Sequence, residues 1–86
     1  MKSRRIGAFS IDLRMVDENP KDVRGIMEQC VIIRAEVMWH KHCIDYVAIC
    51  EQFPELRPGE MVTQIEWFKT KDGPWLAEYE SRKKAA

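Results

Sequence analysis

From Phe9 to Met15 apolar and polar side chains alternate: Phe9, Ile11, Leu13 and Met15 against Ser10, Asp12 and Arg14. A period of two predicts a half-buried strand, because successive strand side chains point to opposite faces. The alternation stops at Asp17-Glu18-Asn19-Pro20. Asn19-Pro20 reads as a helix start, with Asn as cap and Pro at the first helical position, where no N–H is needed. Asp22 in the first turn complements the helix dipole. Val23, Ile26, Met27 and Cys30 recur at i, i+3, i+4 and i+7, one apolar stripe. The spacing predicts a short amphipathic helix over about 20–29, despite Gly25, which weakens it by ~1 kcal/mol relative to Ala.

A longer alternating run follows. Val31, Ile33, Ala35, Val37 and Trp39 alternate with Ile32, Arg34, Glu36, Met38 and His40; after a basic tip, Ile44, Tyr46, Ala48 and Cys50 alternate with Asp45, Val47 and Ile49. Two antiparallel strands folded about Lys41–His42 set Trp39 opposite Ile44, Val37 opposite Tyr46, Ala35 opposite Ala48 and Ile33 opposite Cys50. That register makes one face wholly apolar, and a slip of one residue would mix the faces. The turn is either Lys41-His42 or the four residues His40–Cys43. Lys-His suits a two-residue turn poorly, which favours four.

Phe53 to Glu60 holds Pro54, Pro58 and Gly59 and reads as a loop. The stretch from Met61 to Thr70 resumes a strand, with Met61, Ile65 and Trp67 on one face. Lys71-Asp72-Gly73 reads as a three-residue hairpin turn that sets Ile65 opposite Tyr79 and Trp67 opposite Ala77. The rival reading is a last helix entered at Pro74, with Trp75, Leu76 and Tyr79 on one side. The sum is an α+β domain over 1–86: a small antiparallel sheet of four to five strands with one helix against one face. One helix leaves sheet surface uncovered, and uncovered sheet is where a partner, or a second copy in a homodimer, would bind.

Charge changes the picture at the ends. The formal net charge is zero. Lys2, Arg4 and Arg5 place +3 on the first five residues, and Arg82, Lys83 and Lys84 place +3 near the end. The eight remaining basic residues against fourteen acidic leave the body at −6. Basic ends 1–5 and 82–86 read as solvated tails, with an electrostatic hook for an acidic partner or nucleic acid as the sharper alternative. Three cysteines without scaffold spacing, no leader and no apolar run near the ~20 residues of a membrane span lead us to expect a cytoplasmic protein with free thiols.

The most chemically loaded stretch is Trp39-His40-Lys41-His42-Cys43, which carries both histidines. As a metal site it would use His40, His42 and Cys43, yet zinc needs four ligands, or three and a water. Cys50 and Cys30 sit at the far end of the hairpin, roughly 25 Å along a strand. As a nucleophile, Cys43 lacks a glycine-rich donor loop for an oxyanion. Cys30 and Cys50 read as small hydrophobes that lie near one another. Nucleic acid is disfavoured by the acidic body, although Arg4, Arg5, Arg82, Lys83 and Lys84 with the aromatics keep it as an alternative. No cofactor motif is present; the four glycines are scattered. Trp, with basic neighbours, is the residue type of interface hot spots. This points to Trp39, His40, Lys41, His42 and Trp75 as a partner-binding surface.

The stretch holding Arg34-Ala35-Glu36, Asp45 to Ala48, Phe53 to Leu56 and Gly59-Glu60 resembles a pattern in small proteins encoded by phages and prophages. It covers about a third of the chain and carries over no functional residue. The resemblance implies an accessory gene product in a bacterial cytoplasm, one that acts stoichiometrically by occluding a host protein. The resulting expectation is a non-enzymatic protein-interaction module, a phage-type accessory protein or host-defence inhibitor. The alternatives are a nucleic-acid-binding accessory protein and a thiol- or metal-dependent enzyme at residues 40–43.

Overall fold

The computed structural model describes residues 4–71 and 74–79. Strand β1 (Ile6–Asp12) runs into helices α1 (Leu13–Glu18) and α2 (Pro20–Met27). Strands β2 (Val31–Met38) and β3 (Cys43–Ile49) form a hairpin, followed by β4 (Thr63–Gln64), β5 (Glu66–Lys69) and β6 (Trp75–Glu78). The described residues make a four-stranded sheet in the order β2-β3-β1-β4 and a two-stranded sheet of β5 and β6. The fold is α+β, as the hydrophobic pattern requires. The larger sheet is mixed rather than wholly antiparallel, because β4 pairs with β1 in parallel.

The predicted strand from Phe9 to Met15 divides in two. Its first half extends back to Ile6 and holds Phe9 and Ile11, each 2% exposed. Its second half is helix, because Asp12 caps it: the Asp12 carboxylate accepts from the Arg14 N–H at 2.7 Å. The helix at Pro20 forms as read, with Pro in its first turn and Asp22 beside it, although the Asn19 side chain makes no capping bond. Ile26 is its buried anchor, and Val23 and Met27 flank it against the core.

The β2–β3 hairpin forms, with its register displaced by two residues from expectation. Val37 faces Ile44, Glu36 faces Asp45 and Ala35 faces Tyr46. From Arg34 to Met38 a shift of two keeps each residue on its predicted face, which is why the apolar and polar sides survive the change there. The cause is the turn. Trp39–Lys41 form a 3-10 turn and His42 takes a left-handed conformation (φ 56°), so the four-residue loop is Trp39–His42 and Trp39 leaves the strand. A bulge between Ile32 and Arg34 then resets the pairing, and Ile32 faces Ala48.

The second hairpin is also a strand pair, not a helix entered at Pro74. Trp67 faces Ala77 as predicted. Its expected turn at Asp72-Gly73 lies outside the described residues. Met61 does not share a buried face with Ile65 and Trp67: it is 91% exposed, whereas Ile65 is 5% exposed. Ile65 marks the point where the chain leaves the larger sheet for the smaller one, its N–H donating to Ala8 O at 2.7 Å.

The core lies between the larger sheet, α2 and the smaller sheet. Phe9 stacks on Tyr46 with ring centroids 5.3 Å apart and meets Phe53 and Trp67 edge-on. Phe53 comes from the predicted loop and is fully buried. Gly7 permits this closure: a Cβ there would lie 2.5 Å from Ile65 Cγ1 and 2.9 Å from Phe53 Cδ2.

Candidate functional site

Two strands and a turn build the hairpin tip. Its base is fixed: the Leu13 N–H donates to His42 O at 3.0 Å, and the His42 N–H donates to Trp39 O at 3.2 Å. Asp12 pairs with Cys43 immediately beneath. On this fixed base Trp39 stands 77% exposed, with His40, Lys41 and His42 exposed beside it. The 3-10 turn removes the premise of a His-x-His strand pair, because neither histidine lies on a strand. Among the described residues no three His, Cys, Asp or Glu side chains are grouped to hold a metal ion.

Cys43 points its thiol at the Asp45 carboxylate, 3.5 Å away, and the Ser10 hydroxyl donates to the same Asp45 oxygen at 2.5 Å. Desolvation and the hydrogen bond to Asp45 push the Cys43 thiol above its ordinary value. It is therefore held as a thiol, the opposite of what a nucleophile or a metal ligand needs. Asp45 is held below its usual carboxylate value, first by the Ser10 hydroxyl and then by Cys43, Lys41 and His40, against an opposing desolvation. The carboxylate thus stays ionised under the tip.

These groups belong to the sheet face turned away from the core. There Ser10, Arg34, Glu36, Lys41 and Asp45 rim an open groove of about 340 Å³ over Ala8 and Val47. Arg34 and Glu36 form an exposed ion pair at 3.0 Å. The groove thus presents charged and polar side chains to solvent. A second cavity of about 510 Å³ lies between the sheets, walled by Ile11, Ile26, Trp67 and Trp75. The buried Trp67 Nε1 finds no hydrogen-bond acceptor among the described residues.

The other sequence-derived site residues separate from the tip. Trp75 is half-buried: its ring lies against Gly25 of α2, and its carbonyl accepts from Gln29 and Gln52 at 3.1 and 3.0 Å. It serves packing between α2 and β6, so it does not join Trp39 in one surface. Arg4 and Arg5 lie at the opposite end of β1 from the tip. Arg5 pairs with Glu55, and its guanidinium donates to Phe53 O at 3.0 Å. Arg82, Lys83 and Lys84 lie outside the described residues. Cys30 and Cys50 do meet, as their apolar positions predict. Burial and then the neighbouring Cys50 push the Cys30 thiol up to about 12.

Sequence reasoning missed three features. The Ser10–Asp45–Cys43 cluster depends on β1 pairing with β3, which no local pattern announces. The Gln29–Gln52 bridge joins an helix end to a loop. The third is that the uncovered sheet surface expected from the sequence falls on the outer strand β2, whose residues Val31 to Val37 are all exposed. No family model matches the chain, and neither a curated protein nor a solved structure matches it. Among the described residues no helix is long and apolar enough to cross a membrane.

Proposed function

We propose that this chain is a non-enzymatic protein-interaction module, a phage-type accessory protein or inhibitor whose hairpin tip docks a host protein stoichiometrically in a bacterial cytoplasm. The observation that carries this reading is Trp39: an indole 77% exposed on a hydrogen-bonded, four-residue turn among His40, Lys41 and His42. A rigidly based aromatic loses little entropy on docking, and Trp is the residue type that dominates interface energies. The neutral thiol at Cys43 supports a binding role over a catalytic one.

Capture from the natural host by the wild type, Trp39→Ala and Lys41→Glu proteins in parallel tests it. One protein should be retained by the wild type at near-equal stoichiometry and lost from both variants. Retention of nucleic acid that is lost on deleting residues 82–86 would replace this reading with the nucleic-acid alternative. Stoichiometric metal lost with His40→Ala, His42→Ala and Cys43→Ser together would replace it with the metal alternative.

A further inference from the structure

We propose that two copies of this chain pair edge to edge through β2, antiparallel about a two-fold axis at Ala35. β2 is an outer strand of the larger sheet. Its residues from Val31 to Val37 are all exposed, with Val31 at 58%, Ile33 at 54% and Val37 at 40%. Soluble proteins blunt such an edge or cover it, because its free N–H and C=O groups template another strand. Here the edge carries only one charge pair, Arg34 and Glu36, amid apolar side chains.

That charge pair selects the second copy as the occupant. In a two-fold antiparallel pairing with both sheets facing the same way, residues opposite each other share a face, so the axis passes through a residue. An axis at Arg34 sets Arg34 against itself, and an axis at Glu36 sets Glu36 against itself. Only the axis at Ala35 sets Arg34 opposite Glu36, and it does so twice. Within each copy Arg34 Nη2 already lies 3.0 Å from Glu36 Oε2. The pairing therefore makes a ring of four charges of alternating sign across the junction, where like charges would repel. On the other face Ala35 meets Ala35, whose small side chains let the strands approach, and Val37 falls beside Ile33 of the second copy. The bulge at Ile33 ends the regular run.

The geometry closes at two copies. Each copy spends its β2 edge on the other, and the remaining edge of the sheet is the two-residue β4. The tips project from opposite ends of the joined sheet, so each stays free for a partner.

Sedimentation velocity with charge reversals tests the pairing. At a subunit concentration on the order of 100 μM the wild type should sediment at twice the 10.2 kDa chain mass. Arg34→Glu alone, or Glu36→Arg alone, places like charges opposite and should weaken association at least about tenfold, one decade in Kd. The double exchange Arg34→Glu with Glu36→Arg restores opposite charges and should restore the dimer. Circular dichroism should show every variant folded, since an exposed ion pair contributes little to the fold. A wild type at the chain mass, single reversals whose dimer Kd equals that of the wild type across a concentration series, or a folded double exchange that stays monomeric would each overturn the pairing. Dimer mass is read on the chain alone, so its loss and the loss of partner capture at Trp39 are separate results.

Discussion

The side-chain oxygen of Gln52 accepts the backbone N–H of Ala77 at 2.9 Å, in the position a neighbouring strand would take. The same amide donates to Trp75 O at 3.0 Å and to Gln29 Oε1, and Gln29 donates to Trp75 O and Gly25 O. Two glutamines thus tie the smaller sheet to α2 and to the loop after β3.

Gln52→Ala should lower stability by about 2 kcal/mol, because it strips partners from half-buried backbone groups. Gln52→Glu should fall between the wild type and Gln52→Ala, as it keeps the acceptor for Ala77 but loses the donor. Urea unfolding midpoints at constant slope measure both.

Gly7→Ala should destabilise by about 1–3 kcal/mol, the usual cost of overpacking. The added methyl meets Ile65 Cγ1 and Phe53 Cδ2 at distances real Cβ atoms do not tolerate. Combined with Ile65→Ala it should cost less than the sum of the two single changes, since the second removes the obstructing atoms. A double-mutant cycle in urea reads the coupling.

Asp45 gives an acid dependence of definite sign. Its carboxyl is held below its ordinary value of 3.8, with the Ser10 hydroxyl as the first cause. The unfolded chain therefore takes up the proton first as pH falls. The stabilisation is present above the ordinary value and is lost as pH drops through the depressed one. Asp45→Asn should flatten stability against pH below about 4 and leave it unchanged in shape near neutrality. Unfolding midpoints across that acid range check it.

Much of this fold was legible because its elements are locally periodic. Val23, Ile26 and Met27 marked α2, and Trp67 opposite Ala77 followed from two short alternating runs. The misses came where local pattern is silent or ambiguous. Leu13 and Met15 fit a period of two as well as a helical turn, and the decisive signal was the cap at Asp12. The hairpin register slipped because no Gly, Asn or Asp marks the left-handed position, which His42 fills. Of the candidate site, the tip was legible as a basic-aromatic turn. The pairing of β1 with β3, which brings Ser10 to Asp45, links residues 35 apart in sequence and left no trace in either segment.

Cys30 gives an alkaline dependence of the opposite sign. Burial and Cys50 raise its thiol from 9.0 to about 12. The neutral thiol is favoured in the fold, so its contribution is intact below 9.0 and is lost as pH rises toward 12. Cys30→Ala should flatten the decline of stability over that range. In the native protein Cys30 should also resist thiol-specific disulfide reagents at about pH 8, then react fully in denaturant, because the thiolate is the attacking species.

The tip itself decides the account. The captured host protein, purified and titrated calorimetrically, should bind the wild type saturably at one site per chain. Trp39→Ala, with its circular dichroism unchanged, should weaken binding by more than about thirtyfold, the effect of a hot spot of at least about 2 kcal/mol. Equal affinity of the wild type and Trp39→Ala for that partner would contradict the assignment of the tip as the binding surface.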